Sequence, residues 1–135
     1  MTYTFSPDGE GYRATFTGEL SVEELLEVRA VALAERPEGH AHAIIDLRAA
    51  HFPAGRTVPD GEASLERLHV IARALNHEVR PGKLAVVGSE AVFGQWLRAL
   101  DEMLELLVHR TTEALPPIAR FDPITEAEVW VGEPR

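Results

Sequence analysis

The chain has no cysteine. Disulfides, thiolate nucleophiles and cysteine zinc sites are thereby excluded. Positive charge is scarce: 13 Lys and Arg stand against 22 Asp and Glu, a formal net charge of −9 over 135 residues. A nucleic-acid binder needs clustered cations to displace counterions, and docking to an anionic membrane needs the same, so neither partner is expected. Lys83 is the only lysine and Asn76 the only asparagine. Together with abundant alanine, this reads as codon bias in the source genome and not as function. Long apolar runs are missing too. The most apolar stretch, 91–108, carries Gln95, Arg98, Asp101, Glu102 and Glu105 on one face, as an amphipathic helix does and a membrane span does not. The opening residues Met1 to Ser6 show neither a basic nor an apolar leader region, so we expect no secretory signal and a cytoplasmic protein. There is no Walker A motif and no Gly-x-Gly-x-x-Gly after a strand. Gly9-Glu10-Gly11 and Gly88-Ser89-Glu90 supply no phosphate cradle, and no cofactor is expected.

What is present suits one domain over residues 1–135. At 45% hydrophobic residues, a chain of this length buries roughly two thirds of its unfolded surface without covalent staples. Tyr3-Thr4-Phe5 reads as a short strand, and Asp8-Gly9-Glu10-Gly11 as a turn. Tyr12, Ala14 and Phe16 alternate with Arg13, Thr15 and Thr17, as a half-buried hairpin partner does. Ser21 and Glu24 form a capping box that opens a helix over 22–34, which Pro37 and Gly39 stop. The strand over 41–47 holds adjacent Ile44 and Ile45, so both its faces are expected to be covered. A loop follows over 48–60, and a helix over 61–79 presents Leu65, Leu68, Ala72, Leu75 and Val79 as its buried stripe. A second buried strand spans 83–88. Ser89 caps a helix that runs to about His109, 118–121 is a short last strand, and a second capping box at Thr125 and Glu128 opens a final helix. The expected class is α/β: a mixed, mostly parallel sheet of four to five strands, with an N-terminal antiparallel hairpin and flanking helices.

Three segments carry a family likeness. Thr17-Gly18-Glu19-Leu20-Ser21-Val22-Glu23-Glu24 looks like a turn into a first helix. Ile44-Ile45-Asp46-Leu47-Arg48 looks like a central strand that ends in Asp. Phe121-Asp122 with Ala127-Glu128-Val129-Trp130-Val131 looks like a closing strand and Trp-bearing helix. In this order and spacing, over roughly residues 12–131, the chain resembles the SpoIIAA-like proteins, bacterial relatives of STAS domains and of the CRAL-TRIO lipid-binding fold. The resemblance implies a four- to five-stranded sheet flanked by helices and no agreed enzymatic activity. The phosphorylated Asp-Ser-Ser/Thr-Gly segment of the STAS anti-sigma-factor antagonists has no counterpart here. Between Arg48 and Ser64 the only hydroxyls are Thr57 and Ser64, and Glu62 beside Ser64 disfavours a phosphate unless Arg56 or Arg67 compensates.

In an open α/β sheet ligands bind beyond the strand C-termini. Asp46, Arg48, His51, Arg56, Ser64 and Ser89 form the candidate edge for a ligand or partner. Ser89 with His51 as base would make a nucleophile, but the Gly-x-Ser-x-Gly elbow is absent, so Asp46 and Arg48 are expected to order a loop, Ser89 to cap a helix, and the chain not to be an enzyme. His40 and His42 share one strand face. Asp46 lies roughly 13 Å further along, too far for joint coordination, so no metal is expected and the pair reads as exposed histidines at a strand start. Phe93, Trp96, Leu100, Met103 and Leu106 belong to an apolar stripe wider than one sheet face requires. It is a candidate dimer interface or apolar groove. The expectation is a regulatory or binding domain that acts through protein–protein contacts, as a homodimer. The alternative is a carrier or sensor of a small apolar or lipid-like ligand held between that helix and the sheet.

Overall fold

The computed structural model describes residues 2–20, 22–36, 38–52, 82–106 and 117–133. The expected helix over 61–79 lies outside them, as do Arg56 and Ser64. The order of elements is β1 (Thr2–Asp8), β2 (Gly11–Glu19), α1 (Val22–Glu35), β3 (Ala43–His51), β4 (Leu84–Val87), α2 (Glu90–Leu106), β5 (Ile118–Phe121) and α3 (Ile124–Gly132).

The five strands lie in sequence order, β1-β2-β3-β4-β5. β1 and β2 are antiparallel, and every other neighbouring pair is parallel. The hairpin is closed by Gly9-Glu10 between the paired Asp8 and Gly11. Gly9 has φ 62°, which an L side chain rarely adopts and which a type II′ turn requires at its first central position.

Alternation along the strands sorts side chains onto two faces. One face carries Tyr12, Ala14, Phe16, Ile45, Leu47 and Val86. It is covered by Leu25, Val28 and Ala32 of α1, at helical spacings of three and four, and by Val92, Trp96 and Ala99 of α2. The other face carries Ile44, Ala85 and Val87 under Ala127 of α3. Ile44 and Ile45 are both buried, as expected of a central strand covered on both sides. Removing an isoleucine-sized side chain from water contributes about 1.5–3 kcal/mol.

Two boundaries differ from the sequence reading. Arg48, expected to open a loop, lies inside β3, which runs on through His51 because β2 is long enough for Thr17, Gly18 and Glu19 to pair with Ala49, Ala50 and His51. The register slips by one residue between Thr15 and Thr17, so β3 is bulged at Leu47-Arg48. The capping box expected at Thr125 and Glu128 does not form. The N-cap of α3 is Pro123, in extended conformation with no side-chain cap, so Thr125 and Glu128 already lie inside the helix.

Candidate functional site

The C-terminal ends of β3, β4 and β5 share one edge, and a cleft of about 210 Å³ opens there. Leu47, Arg48 and Ala50 of β3 line it, with Gly88, Ser89 and Val92 at the start of α2 and Asp122 after β5. Parallel strands bring their C-termini together, so the edge follows from the topology.

The bulge in β3 sets the geometry of Asp46. With an extra residue after it, the chain turns back enough for the Arg48 backbone N–H to donate to Asp46 Oδ1 at 3.1 Å. The Arg48 guanidinium completes a fork: Nε donates to Oδ1 at 3.0 Å and Nη2 to Oδ2 at 2.8 Å. Burial pushes the Asp46 carboxyl up. The Arg48 hydrogen bonds and charge, with Arg13 behind them, outweigh that and hold it below the ordinary carboxylate value. The same bonds push the Arg48 guanidinium up. Asp46 itself is buried, while the Arg48 side chain remains 48% exposed.

Ser89 caps α2. Its Oγ accepts from the Val92 backbone N–H at 3.2 Å, and its carbonyl accepts the first helical bond, from the Phe93 N–H, at 3.0 Å. Gly88 precedes it with no room for a side chain, since a Cβ there would lie 2.7 Å from a Val92 methyl. Arg120 ties the edge together. Its Nη1 donates to the Gly88 carbonyl at 3.0 Å and to Asp122 Oδ1 at 2.8 Å. His51, at the last position of β3, is exposed and does not line the cleft, and its carbonyl accepts from the Leu20 N–H at 2.9 Å. The edge thus brings Asp46, Arg48 and Ser89 together, and Arg120 and Asp122 join them.

His40 and His42 lie at the opposite end of the sheet, and neither is exposed. Nε2 of His40, which is buried, sits 2.7 Å from Glu35 Oε2, and its ring meets Tyr12 edge-on. Nε2 of half-buried His42 sits 3.2 Å from Asp8 Oδ2. The expectation of exposed histidines is corrected by the folding of α1 and of the hairpin over that end, which delivers a carboxylate to each ring. Among the described residues, no group of three or more His, Asp or Glu is placed to hold a metal ion. No helix among them is long and apolar enough to cross a membrane.

Within the apolar stripe of α2, Trp96 is buried in the core and Phe93, half-buried, stacks on it at 6.1 Å. Leu100, Met103 and Leu106 lie on the backbone of α2, and their side chains fall outside the description.

The sole lysine belongs to no sequence motif of the candidate edge. Lys83 is buried, and its Nζ donates to the Trp130 carbonyl at 2.7 Å and the Glu133 carbonyl at 2.6 Å, 5.1 Å from the Trp130 ring centre. It is a cation placed at the negative end of α3. Its position just before a buried strand, in a chain that otherwise uses arginine, was the available signal. A second, shallower groove of about 400 Å³ lies beside it, between Phe121 and the Thr125, Val129 and Trp130 side of α3. The chain matches no protein-family model and no curated protein.

Proposed function

We propose that the protein is a non-catalytic binding or regulatory domain of the SpoIIAA-like type, which works through protein–protein contacts as a homodimer. The observation that carries this reading is the state of Asp46. At the sheet edge where an α/β enzyme would keep a reactive carboxylate, both carboxylate oxygens are held by Arg48. A general base needs a free lone pair aimed at substrate. Asp46 instead fixes the bulge, and with it the outer surface of Arg48. Ser89 is engaged as a helix cap, and His51 stands away from the cleft. These groups shape a surface for recognition. The five-stranded mixed sheet is also of the size that the family likeness implies. Val92, Trp96 and Ala99 fill the core, which weighs against an apolar ligand held between α2 and the sheet.

Light scattering on the full chain should give a concentration-dependent mass that approaches twice 14.9 kDa. A single mass of 14.9 kDa at high concentration overturns the homodimer. A turnover that disappears in an Asp46→Ala, His51→Ala, Ser89→Ala triple variant with an unchanged circular dichroism spectrum overturns the non-catalytic reading.

A further inference from the structure

The backbone of β1 has one side that nothing among the described residues uses. β1 ends the sheet, with β2 on its inner side. Which of its groups point outward follows from β2. The Tyr12 N–H donates to the His42 carbonyl, so Tyr12 and every second residue after it turn their backbone groups toward β3. The residues of β2 that bond to β1 are therefore Gly11, Arg13, Thr15 and Thr17, whose partners are Asp8, Ser6, Thr4 and Thr2. Tyr3, Phe5 and Pro7 turn their backbone outward. Pro7 has no N–H, and an outward position on an edge strand is where a proline costs the ladder nothing.

Among the described residues the open groups are thus the N–H and C=O of Tyr3 and Phe5, followed by a residue that stops further pairing. Native edge strands are commonly blunted by a charged side chain, most often Lys. From Thr2 through Ser6 this edge carries no Lys, Arg, Asp or Glu. Thr4 and Ser6 are exposed, while Tyr3 and Phe5 are half-buried. Their rings lie on the core face, Tyr3 5.8 Å from Phe16 and Phe5 5.2 Å from Tyr12.

We propose that the β1 edge is the homodimer seam, where two copies pair antiparallel about a two-fold axis at Thr4 and join their sheets into one. The proposal rests on the homodimer reading above and assigns its surface. Centred on Thr4, the register sets Tyr3 of one copy opposite Phe5 of the other, and each such pair exchanges both its N–H and its C=O bonds. Centring on Phe5 would oppose Tyr3 to Pro7, which has no N–H to give. The two aromatic rows then run on across the seam. Charge also bears on this edge: each copy carries −9, and residues 2–6 of the strand itself bring no carboxylate to the paired backbone. Thr4 meets its own copy as a non-hydrogen-bonded pair, with Cα atoms about 4.5 Å apart.

That self-contact supplies the test. Light scattering is run on the full wild-type chain, on Thr4→Lys, on Thr4→Glu and on an equimolar mixture of the two variants. Thr4 is exposed, so both variants should keep the wild-type circular dichroism spectrum. Each variant alone places like charges face to face and should be monomeric where the wild type is dimeric, with the dimer dissociation constant raised at least tenfold. The mixture should dimerise again. In the wild type, the Tyr3 and Phe5 amides should exchange slowly at dimer concentrations and quickly on dilution. A wild-type dimer that both variants retain, a mixture that stays monomeric, or amides indifferent to dilution overturns the β1 seam and leaves the homodimer reading standing. A monomeric wild type overturns both.

Discussion

At the scale of single residues, Asp46 and Arg48 decide how the sheet edge responds to acid. The folded-state carboxyl of Asp46 lies below its ordinary value. The stability it contributes is therefore complete above the ordinary carboxylate range near pH 4 and is lost as pH falls through the lowered folded value. Arg48→Ala removes the guanidinium's bonds and charge but keeps the backbone N–H bond and Arg13, so burial opposes a weaker set of lowering contacts and the depression of that carboxyl shrinks. Urea midpoints between about pH 3 and pH 6 should fall on acidification in the wild type. In Arg48→Ala the Asp46 share of that fall should shrink, and an unchanged acid limb would show that the fork carries no linkage. This pair was legible as an Asp and an Arg at a strand end that order the chain after it. The fork itself was not legible, because residues two apart on a regular strand share a face without turning back on one another, and the bulge that brings Arg48 back depends on the register with β2. Lys83 was hidden for a similar reason: its acceptors lie 47 and 50 residues away, where no local pattern reaches.

At the scale of elements, the helix starts show where local chemistry decides and where tertiary context does. Ser89 has only its own helix to serve, and its hydroxyl does so. Thr125, with Glu128 three residues on, carries the fuller capping-box pattern, yet Pro123 occupies the N-cap of α3. Pro123 follows directly from the turn at the end of β5, so α3 starts before the box can act. Ser89→Ala should therefore cost about 1 kcal/mol in denaturant unfolding. Thr125→Ala should stay within about 0.5 kcal/mol of wild type. Equal losses would restore Thr125 as a cap. The same contrast explains the strands. Ile44-Ile45 and the Leu84–Val87 run announce buried strands through composition alone. Ala49, Ala50 and His51 do not, since alanine has little strand preference, and they are extended only because β2 reaches far enough to pair with them.

At the scale of the whole molecule, the net charge of −9 and the uncharged 2–6 segment of the edge strand make opposite demands on self-association. Two such copies repel at long range, while the proposed seam attracts through backbone bonds and aromatic contact that salt barely touches. Counterions screen the first term and leave the second. The Debye length shrinks from about 30 Å at 0.01 M salt to about 8 Å at 0.15 M. Dimerisation through β1 should therefore tighten as sodium chloride rises across that range, by roughly three- to tenfold, measured by sedimentation equilibrium. A dimer held by ion pairs between the copies, such as one built on Arg48 or Arg120 against a neighbour's carboxylates, would loosen over the same range. The direction of the salt response thus separates a backbone seam from an electrostatic one. A dissociation constant that rises with salt would place the contact on the charged edge of the sheet and away from β1.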